Sequence, residues 1–255
     1  KKKIQYKEIK KIFSTLNKKK IFKLDTAVGY KNYSLLKKFN LKKFMIFTKL
    51  SHENILCYKN LEDTYNFSNK CEELIILSHN PQDLKNKSFL KLLNNQKKFN
   101  IGYSIYDIKD LPRKNLKKKL YLQLPFNILL YQNFEKLKKK NYVTISRSVF
   151  MRGHLNMSIK KILKTFDFAK NKLDNFSKIS KKINLNFAQI SLLYSLLNKN
   201  IDFVIIGINS NKELIENLRV INDKNIKLIK KFYKSIELYN TALKNFQNKF
   251  DMRKI

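Results

Sequence analysis

Apolar residues gather in short runs of strand length along the whole chain: Phe22 to Leu24, Phe44 to Phe47, Leu74 to Leu77, Ile101 to Tyr103, Leu120 to Leu124, Tyr142 to Ile145 and Phe203 to Ile206. Between them the apolar positions change to helical spacing, as in Ile9, Ile12, Phe13 and Leu16, in Phe187, Ile190, Leu193, Tyr194 and Leu197, and in Leu214, Ile215, Leu218 and Ile221. Strands alternating with helices predict parallel βαβ units. Near-continuous rather than alternating apolar strands predict a sheet covered on both faces, so the class is α/β. Seven strands are visible and the chain opens on a helix, which points to a (β/α)8 TIM barrel lacking its first strand and N-terminal plug, with an open seam where that strand would lie. The competing doubly wound sheet needs a glycine-rich phosphate turn after its first strand. With four glycines the chain has no G-x-G-x-x-G. No linker or composition shift divides it, so residues 1–255 are expected to form one barrel domain, with a Lys-rich helix at about 226–246 packed outside.

Composition changes this picture little. A chain of 255 residues with 43% hydrophobic and 13% aromatic content has enough apolar surface for a core, which excludes wholesale disorder. No run approaches a membrane span and no signal segment opens the chain, so a cytoplasmic protein without membrane association is expected. Cys57 and Cys71 read as free thiols. The formal charge of +36 comes almost wholly from lysine, since only five of the 55 basic residues are arginine. Lysines scattered among Asn and Ile fit AT-rich coding better than a nucleic-acid reader, which needs arginine forks in one patch. No specific nucleic-acid partner is expected, only weak, salt-sensitive attraction to polyanions.

The polar residues at the strand ends carry the candidate chemistry. The apolar runs finish in Asp25, Lys49, His79, Ser104, Gln123, Arg147 and Gly207, and Tyr30 follows Asp25 in the next loop. In a barrel such ends share one mouth. Each residue also has an ordinary reading, as a turn former, a solvated charge or a loop opener; the joint pattern is harder to reach by accident. Asp, Tyr, Lys and His suit the reduction of a carbonyl. A phenol donates the proton that the developing oxyanion needs, an ammonium beside it favours the phenolate, and a carboxylate anchors the ammonium. Histidine orients the substrate oxygen. No side chain supplies hydride, so a nicotinamide cofactor, NADPH or NADH, is implied. His52, His79 and His154 lack ligand spacing, and no metal is expected.

These residues resemble the aldo-keto reductases, a (β/α)8 family that uses NADPH or NADH without a Rossmann domain. Leu24-Asp25-Thr26-Ala27-Val28-Gly29-Tyr30 resembles the family's D-T-A-x-x-Y, Phe47-Thr48-Lys49 its T-K, and Leu77-Ser78-His79 its strand-end histidine. The resemblance implies a catalytic set of Asp25, Tyr30, Lys49 and His79. Ile101-Gly102-Tyr103-Ser104 resembles the G-x-S strand, and Leu122 to Asn127 the Q-x-x-x-N strand; it thereby implies that Ser104 and Gln123 hold the nicotinamide amide. Gly207, Asn209 and Ser210, with Glu216 and Asn217, resemble the loop and helix start that bind the adenosine end. Ser146-Arg147-Ser148-Val149-Phe150-Met151-Arg152-Gly153 resembles a bacterial subgroup with an R-S-x-F-x-x-G run, and Arg147 joins the implied cofactor contacts.

The chain departs from the pattern in Ile105 after the serine and Lys31 after the tyrosine. Glu213 stands where NADPH-preferring members often carry arginine, and it also completes a capping box with Ser210 as N-cap. The implied activity is NAD(P)H-dependent reduction of an aldehyde, ketone or sugar carbonyl, with Tyr30 as general acid. The alternative is a noncatalytic relative acting as a regulatory or partner-binding subunit.

Overall fold

The computed structural model describes residues 4–50, 67–78, 100–111, 120–138, 142–166 and 170–247. Its seven strands are β1 (Lys23–Asp25), β2 (Leu41–Leu50), β3 (Cys71–Ser78), β4 (Asn100–Ser104), β5 (Tyr121–Pro125), β6 (Val143–Arg147) and β7 (Phe203–Val204). They follow one another in the sheet in chain order, and the registered pairs are parallel. A doubly wound sheet reverses its strand order at a switch point, whereas a barrel winds in one direction. The fold is therefore of the (β/α)8 type.

Each of these strands lies at a predicted run, with shifted ends. β2 extends over Lys42 and Lys43, whose exposed side chains interrupt the apolar pattern while the backbone stays extended. β7 stops at Val204, although the Ile205 N–H still donates to the Ser146 carbonyl at 2.8 Å.

The chain divides into two compact units. The first comprises Lys1–Gln123, Lys139–Val143 and Asn209–Leu214; the second comprises Leu124–Lys138, Thr144–Ile208 and Ile215–Ile255. In the first, helix α1 (Tyr6–Lys18) buries the predicted stripe of Ile9, Ile12, Phe13 and Leu16. Phe13 stacks on Phe39 at 4.4 Å between centroids and meets Phe44 at 5.4 Å, and Phe22 meets Phe44 edge-on at 5.5 Å. A short helix α2 (Tyr33–Leu36) follows β1.

The second unit holds α3 (Phe134–Lys138), α4 (Ile159–Thr165), α5 (Lys170–Ile183) and α6 (Phe187–Leu197). α6 starts with a full capping box between Asn186 and Gln189 and buries Phe187, Ile190, Leu193 and Tyr194. Phe126 stacks on Tyr194 at 5.3 Å and meets Phe134 edge-on at 5.4 Å. Two further helices are α7 (Asn211–Val220) and α8 (Asp223–Gln247); the sequence placed the second at about 226–246. The predicted stripe on α7 is corrected at its end. Ile221 lies beyond the helix and is exposed, and Val220 takes the buried position instead, because the chain turns out of the helix at Ile221.

One ion pair in the second unit gives a pH-dependent expectation. Asp202 accepts the Thr144 N–H at 2.7 Å and its hydroxyl at 3.0 Å, and Lys138 donates to the other carboxylate oxygen. Burial alone would raise the carboxyl pKa, but the Lys138 and Thr144 hydrogen bonds outweigh it and hold the value below the usual range. A lowered carboxylate pKa contributes stability above the unfolded value of about 3.9 and loses it as pH falls through the folded one. Asp202→Asn should therefore cost on the order of 1 kcal/mol in urea melts at pH 7. The difference from the parent protein should vanish toward pH 2.

Candidate active site

The β1–β2 register builds the centre of the site. Asp25 is the partner of Phe47, and Lys49 lies two residues further along β2, on the same face. The ammonium reaches back to the carboxylate, with Nζ at 2.6 Å from Oδ1 and 2.7 Å from Oδ2 of Asp25, and donates a longer bond of 3.3 Å to the Thr26 carbonyl. Both side chains are largely withdrawn from water, Lys49 at 8% exposure and Asp25 at 14%. A charge so placed is tolerable only when paired and hydrogen-bonded, and each partner meets that need for the other.

β4 and β5 add the second half. Ser104 and Gln123 are register partners and fully buried. The Ser104 hydroxyl donates to Gln123 Oε1 at 2.9 Å, and Gln123 Nε2 donates to Asp25 Oδ1 at 2.9 Å. An ionised carboxylate only accepts, so its presence fixes which end of the amide faces Asp25. Ser104, Gln123, Asp25 and Lys49 thus form one hydrogen-bonded chain within the first unit. The sequence pattern named all four but assigned Gln123 to cofactor alone. Its bond to Asp25 joins residues 98 apart, and no local spacing announces it.

Tyr30 lies in the turn after β1, where its N–H donates to the Ala27 carbonyl at 2.9 Å, and the residue is 47% exposed. His79 and Cys57 lie outside the described residues. Cys71 is a free thiol that burial pushes up to about 11, so it is not a nucleophile near neutrality.

The start of α7, also in the first unit, carries Asn209, Ser210 and Glu213. Ser210 Oγ accepts the Glu213 N–H at 3.1 Å, the N-cap half of the predicted box. The other half is displaced by one residue: the Glu213 carboxylate accepts the Asn209 N–H at 2.6 Å rather than that of Ser210. The amide of Asn211 is taken by Glu8 of α1, at 2.6 Å, and Thr15 donates to the Asn211 side chain at 2.7 Å. Glu8 was missed from the sequence, where it reads only as an acidic residue in the first turn of α1. Two carboxylates therefore lie on the backbone amides that open α7.

In the second unit, Arg147 ends β6 and donates to Ser148 Oγ at 3.3 Å. The loop beyond it holds Ser148, Met151 and Arg152 at φ of 57°, 49° and 54°, with Gly153 at 95°. Such left-handed residues are costly outside glycine and gather at functional loops. Asn127 is fully buried and secures this loop by donating to the Ser148 carbonyl at 3.0 Å. Gly207 follows β7, and Glu216 and Asn217 lie on α7. Among the described residues no group of His, Cys, Asp and Glu could hold a metal ion, and no helix is long and apolar enough to cross a membrane.

No family model matches the chain, and no curated protein matches it. Among solved structures it is similar to the aldo-keto reductase AKR11C1 from Bacillus halodurans in its holo form, with a TM-score of 0.61 and 15% identity over 90% of this chain and 88% of that one. At that identity the likeness speaks for architecture. The chain has the (β/α)8-barrel fold found in aldo-keto reductases, an oxidoreductase family.

Proposed function

We propose that the protein is an NAD(P)H-dependent reductase of an aldehyde, ketone or sugar carbonyl. The observation that carries this reading is the buried Lys49–Asp25 pair, tied through Gln123 to Ser104, in a barrel of the aldo-keto reductase fold. When bound, the nicotinamide supplies hydride. Tyr30 donates its phenolic proton to the carbonyl oxygen as negative charge develops there. The Lys49 ammonium compensates the phenolate so formed, and Asp25 holds the ammonium. His79 completes the set as a donor to the substrate oxygen.

The residues fit the nicotinamide end of such a cofactor, because Gln123 keeps a second amide proton beyond the one given to Asp25. They do not fit a 2′-phosphate at the start of α7. A phosphate there would face the Glu8 and Glu213 carboxylates on amides already engaged, and a helix N-terminus attracts anions only through free N–H groups. The reading is accordingly NADH rather than NADPH, with Arg147, Gly207, Asn209, Ser210, Glu216 and Asn217 as further cofactor contacts.

The test is a panel of aldehydes, ketones and aldoses with each cofactor, followed at the nicotinamide absorbance. NADH oxidation at about 1 s⁻¹ or faster with at least one substrate is expected. No turnover with retained NADH binding would replace this reading with a noncatalytic, regulatory or partner-binding barrel. Glu213→Arg should lower the Kd for NADPH at least about tenfold relative to that for NADH, by exchanging a repulsive for an attractive charge; unchanged fluorescence titrations would remove Glu213 from cofactor selection.

A further inference from the structure

We infer that Ser104 and Gln123 act as a buried positioning relay for the Asp25–Lys49 pair, beyond any contact they make to a cofactor. The Asp25 carboxylate could rotate about its last bond while still pairing with a single ammonium. Gln123 limits that freedom by giving Oδ1 a second donor at 2.9 Å. Turning the Gln123 amide over would bring a carbonyl oxygen against the carboxylate, which Asp25 disfavours. Ser104 steadies the same amide orientation from its other end by donating to Oε1 at 2.9 Å. Water competes little along this chain, since Ser104 and Gln123 are fully buried, Lys49 nearly so and Asp25 only 14% exposed. Polar chains of this kind specify one geometry when each member is satisfied.

Gln123 is thus a positioning residue whose effect on Tyr30 chemistry passes through Asp25 and Lys49. In its catalytic consequence the inference rests on the reductase reading; in its structural content it does not.

The experiment separates the two. Urea midpoints of the parent chain, Gln123→Leu, Asp25→Ala and the double variant form a cycle that needs no activity. The two single shifts should exceed the double-variant shift when added, because both remove the same bond. Additive shifts would overturn the relay. Should Asp25→Ala fail to fold, the cycle of Ser104→Ala with Gln123→Leu decides on the same criterion.

In the reductase assay Gln123→Leu should lower kcat at saturating NADH on the order of tenfold, the equivalent of one hydrogen bond to a charged group, in addition to any loss of NADH affinity. Ser104→Ala should act in the same direction and add little to it. A weakened NADH Kd with unchanged kcat would make Gln123 a cofactor contact alone and overturn its positioning role. Non-additive midpoints in a protein that turns over no carbonyl would leave the relay standing and the reductase reading refuted.

Discussion

Tyr30→Phe should reduce carbonyl turnover by about 10²- to 10⁴-fold, the range that a positioned general acid contributes, while NADH binding changes by less than about twofold. The substitution removes one oxygen from a residue that is 47% exposed in a turn, so it opens no core cavity and leaves the Lys49–Asp25 pair intact. What disappears is the proton donor. The carbonyl oxygen gains negative charge as its carbon is reduced, and without the phenol that charge is left to the His79 donor, to water or to a bare ammonium. The loss should therefore fall on kcat and on kcat/KM together, the pattern of an interaction made only in the transition state. Pre-steady-state mixing of enzyme, NADH and the best panel substrate would measure it. Unchanged turnover would move the proton-donating role to another residue and leave Tyr30 as a turn former.

The architecture was legible because it is written in short-range signals. Seven apolar runs fall at seven strands, and the stripe of Ile9, Ile12, Phe13 and Leu16 falls on the buried face of α1. What blurred the boundaries was polar residues in an extended backbone, as at Lys42 and Lys43, or a chain that leaves its helix one residue early, as at Ile221. At the site, strand ends brought out Asp25 and Lys49, since parallel strands in register deliver their ends to one side. Composition alone could not separate Lys49 from the other lysines; burial does, for it is the one lysine in the buried set of the described residues. The contacts from Gln123 to Asp25 and from Glu8 to Asn211 had no sequence signal. Each joins segments far apart in the chain, 98 and 203 residues, and each depends on how helices and strands are brought round.

Gly102→Ala should destabilise the protein by about 3 kcal/mol, the upper part of the usual range for forcing an atom into a packed interior, whereas Gly29→Ala should stay within about 0.5 kcal/mol. A Cβ at Gly102 would lie 2.0 Å from the Tyr121 carbonyl oxygen and 2.7 Å from its carbonyl carbon and Cβ, while a Cβ at Gly29 meets nothing within 4 Å. The Tyr121 backbone is poorly able to yield. It pairs with Gly102 in the sheet, its hydroxyl donates to Glu73 at 3.0 Å, and its ring meets Phe47 edge-on at 5.9 Å. The same register places Ser104 opposite Gln123 two residues on, so strands forced apart at Gly102 would strain the Ser104–Gln123 bond as well. Urea unfolding of both variants measures the contrast. Equal midpoints would mean that β4 and β5 separate readily at this point, in which case the Ser104–Gln123 bond could not be the rigid element that steadies Asp25.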